Sequence, residues 1–381
     1  MNPDHPPKPI VAQSPAAVMG DLIWTAVTLL TLLWSVGVAV LILTKPLTTS
    51  QTIGPDRAFF TAAAAVSSTG FAQGFATPAD FNPLSQAVLI AINVGGTLVT
   101  WVIGGVFVLR LTGRSYRMRL FIWPLLLVVA VTLVLALTGS GYDAPGVLTQ
   151  LGWHFGVAVS PTVRLLLAMI GSVGLAMLMA PLLSVRHLPA IRASTLWAWA
   201  MGAMVVCVCG LMLRDGFGSV QSAGDVTRLV TYCVELRTSH VAINTLTREG
   251  QWLTLLLSFI GSAPASSAGG FGVIALMLIG RSLLLALTGR PDDQRSLWAI
   301  ALIWVAMTFA LILITLLLLL AQAPQLPADR AVFLASSAAI GTGISHDPVS
   351  LTDAPLYTLG LAMIAGKLLP LFMLGWMARR V

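Results

Sequence analysis

Eight stretches of this chain are free of charged side chains, or nearly so, over the length of a membrane crossing. A spanning helix needs about 20 apolar residues. Such stretches run over Leu22–Thr44, Pro83–Leu109, Leu120–Tyr142, Leu165–Val185, Ala193–Leu213, Gly250–Gly280, Ser296–Ala328 and Ala354–Ala378, the last interrupted only by Lys367. Composition agrees: 57% of the 381 residues are hydrophobic and 9% are charged, against about a quarter charged in soluble domains. That balance excludes a soluble enzyme, a secreted disulfide scaffold, a disordered regulator and a nucleic-acid binder. The three cysteines, Cys207, Cys209 and Cys233, form neither a metal spacing nor a disulfide framework. The expected class is an all-α integral membrane protein whose principal partner is the lipid bilayer.

Eight crossings return the chain to the side on which it starts, and the basic residues indicate which side. The linkers after spans two, four and six carry Arg110, Arg114, Arg117, Arg119, Arg186, Arg192, Arg290 and Arg295, and the C-terminus adds Arg379 and Arg380. Acids gather in the opposite linkers: Asp56, Asp80, Asp143, Asp215, Asp225, Glu235, Asp329, Asp347 and Asp353. Both termini are therefore expected in the cytoplasm. The net charge of +7 is accounted for by topology, with no nucleic acid needed. Residues 1–21 are proline-rich and polar, unlike a signal peptide, and read as a loosely ordered cytoplasmic tail ahead of one pore domain over 22–381.

The outer linkers repeat. Each holds a mildly apolar run too short to cross: GPDRAFFTAAAAVSSTGF, APGVLTQLGWHFGV, AGDVTRLVTYCVELRTSHV and PADRAVFLASSAAIGTGIS. Asp56 precedes Gly70 by 14 residues and Asp329 precedes Gly343 by 14; Asp143 precedes Gly156 by 13 and Asp225 precedes His240 by 15. An Asp beside Pro or Gly caps a helix of about ten residues, which ends in small polar residues. This predicts four units of helix, pore helix, filter loop and helix around a central pore, over about 22–111, 119–185, 193–289 and 296–381. A short helix aiming its C-terminus at the membrane centre presents the negative end of its dipole to a cation. Extended backbone at that depth is tolerated only where it is buried or lines water. Glycine allows the positive φ that turns successive carbonyls toward an axis, and four such loops make a cation filter.

In these motifs the chain resembles the Trk/Ktr/HKT superfamily of potassium transporters. SSTGF (Ser67–Phe71) is similar to that family's first filter loop and SSAAIGTGIS (Ser336–Ser345) to its fourth. GSAPASSAGGFG (Gly261–Gly272) resembles the break in the third inner helix that forms an intramembrane gating loop. GKLLPL (Gly366–Leu371) resembles a stretch of the last inner helix where the family has Gly-Arg, with Lys367 in place of the arginine. The resemblance implies filter positions at Ser68, Thr69, Gly70, His154, Phe155, Gly156, Thr238, Ser239, His240, Thr342, Gly343 and Ile344. It implies a gate from Gly261, Pro264, Ser266, Ser267, Gly269, Gly270 and Lys367. K⁺ or Na⁺ is then the transported ion, with no other cofactor, no structural metal and no catalytic residue in the chain. A homodimer and a separate cytoplasmic nucleotide-binding regulatory subunit are likewise implied. The bacterial inner membrane is the expected location.

Two loops depart from the pattern. His240 stands where the third filter glycine belongs, in RTSHV, and Trp153 and His154 replace small polar residues in WHFGV. A protonated imidazole beside the axis would repel a cation, whereas a neutral one offers a lone pair. These substitutions keep a second reading open: a non-conducting membrane scaffold or sensor with a degenerate filter. The break at 261–272 has an alternative too, close helix packing through small residues, but Pro264 among serines in so long an apolar stretch favours unwound backbone. Lys367, mid-span, costs about 3 kcal/mol on insertion scales unless it faces a cavity or a partner, and is expected on the pore side as part of the constriction.

Overall fold

The computed structural model describes residues 15–44, 46–49, 52–71, 73–76, 80–111, 247–261, 272–289 and 295–380. Spans three, four and five, and the short helices and filter loops expected in units two and three, lie outside the described residues. Within them the chain is helical, with two isolated β-bridges and no strands. The helices are α1 (Pro15–Leu43), α2 (Pro55–Ser67), α3 (Pro83–Val99) continued through a π-helical turn (Thr100–Gly104) into α4 (Gly105–Leu111), α5 (Arg248–Ile260), α6 (Val273–Leu287), α7 (Arg295–Gln322), α8 (Ala328–Ile340) and α9 (Ala354–Arg379). Four are long and apolar enough to span a membrane: α1, α3–α4, α7 and α9.

The first and last units share one plan. A long helix (α1 or α7) is followed by a 13-residue helix (α2 or α8), a loop, and a second long helix (α3–α4 or α9). Burial separates the long helices into two kinds. Only 22% of the most apolar stretch of α1 and 28% of that of α7 is covered by protein, against 50% for α3–α4 and for α9. The exposed leucines and isoleucines of α1 and α7, such as Leu32, Leu43, Ile314 and Leu317, are the surface a hydrocarbon solvent accepts. The second long helices are the more enclosed pair.

α9 is the most connected of them. It packs on α2 as well as on α7 and α8, and reaches α1 and α4. Small residues make these approaches possible: a Cβ on Gly360 would lie 2.6 Å from the Phe59 ring, and one on Gly375 would lie 2.6 Å from Ile23 Cδ1. The last unit is thereby joined directly to the first. Pro370 lies within α9 and offers no N–H to the Gly366 carbonyl one turn earlier.

Three sequence expectations are corrected. α1 begins at Pro15, inside the tail expected to be loosely ordered up to residue 21, because proline suits a first helical turn and apolar residues follow at once in the sequence. The short helices run 13 residues, longer than about ten, since alanines favourable to helix continue to their ends. Asp56 and Asp329 do not cap them. The caps are Gly54 and Pro327, neither with a side-chain hydrogen bond, and the aspartates sit in the first turn, where a negative charge favours the helix dipole. There the Asp56 carboxylate accepts the Asp353 N–H at 3.0 Å, and that of Asp329 accepts the Arg330 N–H at 2.9 Å.

Candidate functional site

The ends of α2 and α8 converge. Aligned on Asp56 and Asp329, the two segments share Arg57/Arg330, Ala58/Ala331, Phe60/Phe333, Ala62/Ala335, Ala65/Ala338, Thr69/Thr342 and Gly70/Gly343. Both helices stop at a left-handed residue, Ser68 (φ 59°, ψ 30°) in the first and Gly341 (φ 76°, ψ 31°) in the second. The next amide turns back on the helix in each: Thr69 N–H donates to the Ala64 carbonyl at 3.1 Å, Thr342 N–H to that of Ser337 at 3.0 Å. A second left-handed residue follows, Gly70 at φ 63° and Gly343 at φ 68°. Two left-handed residues so close together take the backbone out of the helix at its tip.

The two loops touch. A Cβ on Gly343 would stand 1.6 Å from the Thr69 carbonyl oxygen, so only glycine fits, for its dihedral and for its bareness alike. Beyond the contact, Gly74 N–H donates to the Val349 carbonyl at 2.9 Å, and residues 73 and 349 form a parallel bridge. The negative ends of two helix dipoles therefore meet at one place, where Ser68, Thr69 and Thr342 are fully buried. Ile344 turns into the wall, packed with Leu255 of α5 and Phe333 of α8.

The inner helices hold these loops by close approach. A Cβ on Gly96 would lie 2.0 Å from the Val66 carbonyl oxygen, and one on Gly366 would lie 2.0 Å from that of Ala339. Val66 and Ala339 each stand four residues before the loop glycine, so the two units use the same contact at the same register. The residue after each glycine is polar. Thr97 shares a hydrogen bond with the Ser68 hydroxyl, Oγ to Oγ at 2.9 Å; its counterpart is Lys367, half-buried on α9. Above Thr97, Asn93 is buried with its Oδ1 unpartnered among the described residues.

At the expected break in the third inner helix, α5 ends at Ile260 and α6 starts at Val273, with Gly261 at φ 63° and Gly272 at φ 75° on the two edges. Of the sequence-derived site, Ser68, Thr69, Gly70, Thr342, Gly343 and Ile344 come together around one point. Lys367 follows the glycine that packs on α8. His154, Phe155, Gly156, Thr238, Ser239, His240, Pro264, Ser266, Ser267, Gly269 and Gly270 lie outside the described residues. The sequence reading missed Gly96, Thr97 and Met363, which build the wall behind the first loop.

His346 follows the fourth loop. Its Nε2 lies 3.1 Å from Gln251 Oε1 of α5, and its ring meets Phe333 edge-on at 4.5 Å. Partial burial holds its pKa below the ordinary 6.5, with Arg330 pushing the same way and Asp329 and Asp347 opposing. Arg330 itself pairs with Asp347 on the exposed surface.

No protein-family profile and no curated protein matches this chain. The fold does match a solved one: the crystal structure of the potassium transporter TrkH from Vibrio parahaemolyticus, with a TM-score of 0.69 over 98% of this chain and 86% of that one, at 15% identity. The chain therefore has a TrkH-like helical membrane fold.

Proposed function

We propose that this chain is a membrane subunit that translocates a monovalent cation, K⁺ first and Na⁺ second, through a filter of four re-entrant loops arranged as eight spans in four units. The observation that carries the reading is the meeting of two short-helix C-termini whose loops, each with a left-handed glycine, abut between Gly343 and the Thr69 carbonyl. Oriented carbonyls at the negative ends of helices replace part of a cation's hydration shell. The solved neighbour, described as a potassium transporter, supports the same class. Under this reading the loop within 261–272, with Lys367, forms the constriction beneath the filter, and the fixed ammonium limits cation passage until the loop moves. A homodimer in a bacterial inner membrane, with cytoplasmic termini and a separate nucleotide-binding regulator, completes the proposal. No catalytic role is assigned.

The second reading, a scaffold or sensor that no longer conducts, is favoured by His240 and by Trp153 with His154 in the other two loops. One experiment separates them. Purified protein in liposomes is assayed for K⁺ and Na⁺ flux at about pH 5.5 and about pH 8, on either side of the ordinary histidine pKa, beside His240→Gly and Lys367→Ala. Transport predicts flux that falls at acid pH in the wild type but not in His240→Gly, and that rises in Lys367→Ala. Silence from all three, each folded and monodisperse, removes the transport reading and leaves the scaffold.

A further inference from the structure

We infer that Met363 is a positioning residue for ion selection: its thioether accepts the Thr69 hydroxyl and holds the first filter loop to the inner helix of the last unit. The inference rests on the transport reading above and deepens it. Met363 is fully buried on α9, one turn before Lys367. Thr69 Oγ1 lies 2.8 Å from its sulfur, 3.0 Å from Ser67 Oγ and 3.4 Å from the Ala64 carbonyl. A threonine hydroxyl has one proton to give. Ser67 spends its own on the Ala63 carbonyl at 2.6 Å. Its oxygen is left as an acceptor too, so the Thr69 hydroxyl lies between Ser67 of its own helix and the Met363 sulfur.

The last unit supplies the comparison. Its equivalent threonine, Thr342, pairs with the Ser337 hydroxyl at 3.0 Å, within its own short helix and loop. Position 337 corresponds to Ala64, which has no hydroxyl to offer. The first unit supplies its hydroxyl from Ser67 instead, at 3.0 Å, and Thr69 reaches in addition a residue 294 positions later. The Thr69 carbonyl is also the atom against which Gly343 is seated. Rotation of Thr69 about its backbone would therefore disturb both loops at their contact. A thioether is a weak acceptor on a flexible side chain. The tie thus sets the loop while leaving it able to follow displacements of α9, the helix that also carries Lys367.

The test compares K⁺ and Na⁺ flux in liposomes for the wild type, Met363→Leu, Thr69→Val, the double variant and Met363→Gln. Leucine keeps the volume and removes the acceptor; glutamine restores an acceptor at similar length. A net hydrogen bond of about 1 kcal/mol corresponds to roughly a fivefold change in an equilibrium. Met363→Leu and Thr69→Val should each move the K⁺/Na⁺ flux ratio toward unity by about that factor, the double variant should go no further, and Met363→Gln should recover selectivity. A role in packing alone predicts no rescue by glutamine. If Met363→Leu loses its folded profile, Thr69→Val and Met363→Gln carry the comparison. A selective wild type with an unchanged ratio in the Leu and Val variants, or additive losses in the double variant, overturns the inference and leaves transport standing. A wild type that conducts both ions equally overturns it as well. A silent wild type takes down the transport reading and this inference with it.

Discussion

The first and last units secure the same loop by different means. In both, a 13-residue helix ends in a left-handed residue, a threonine amide folds back, and a glycine of the following long helix presses on a carbonyl four residues before the loop glycine. In the last unit the turn is self-sufficient: Gly341 takes the left-handed cap without strain, and Thr342 is satisfied by Ser337. The first unit places Ser68 at the cap, pairs Thr69 with Ser67 in place of position 64, and adds Thr97 from α3 and Met363 from α9. Backbone geometry is thus the shared requirement, and side-chain support is negotiable.

Breaking the shared part should cost most. Gly343→Ala combines an unfavourable φ with a Cβ driven into the Thr69 carbonyl. Flux should fall by about tenfold or more, as expected for backbone strain with steric conflict, measured against an unchanged reconstitution yield. Near wild-type flux would separate this contact from the conduction path. Next come Gly96→Ala and Gly366→Ala. Each sets a methyl against a backbone oxygen, and overpacking of this kind costs about 1–3 kcal/mol. Similar drops in thermal midpoint in detergent would support equivalence of the two units, and a drop in one alone would break it.

Smaller effects sharpen the difference. Gly341→Ser imposes a left-handed serine with no Thr97 opposite, a loss of about 1 kcal/mol. Ser68→Gly gives up the Thr97 bond but relieves the same strain, so its stability should stay within about 0.5 kcal/mol of wild type. Denaturation of the two variants side by side decides, and equal losses would mean that Thr97 contributes nothing. The smallest effect is electrostatic. Burial holds His346 below 6.5, so the unfolded chain binds its proton more readily than the folded one. The contribution is complete above 6.5 and is lost as pH falls from there through the lowered value. His346→Gln should flatten the thermal midpoint over that range. An unaltered profile would assign the pH dependence to other groups.

Much of this plan was legible in the sequence because the bilayer imposes strong demands on length and charge. Uncharged runs located the long helices, and the Asp-to-Gly spacing located both short ones. Gly261 and Gly272 marked the edges of the break in the sixth apolar stretch. The aspartates illustrate the limit. A residue type favoured at caps is equally favoured one or two positions later by the dipole, and spacing cannot separate the two. Met363 was illegible for another reason. A methionine in an apolar helix carries no pattern, and its partner lies almost 300 residues away.

The seating of α9 against the first unit bears on how the chain is made. A membrane protein leaves the ribosome N-terminus first, so α2 and its loop are synthesised long before the helix that supplies Met363 and the bed for Phe59. Until α9 inserts, Thr69 lacks its sulfur and Ile23 lacks Gly375. At the other end of the helix Arg379 comes to rest against Gly20, bringing together residues far apart in sequence. The first loop therefore gains these contacts only after α9 has been made, and a nascent chain cut short before residue 354 leaves it without them.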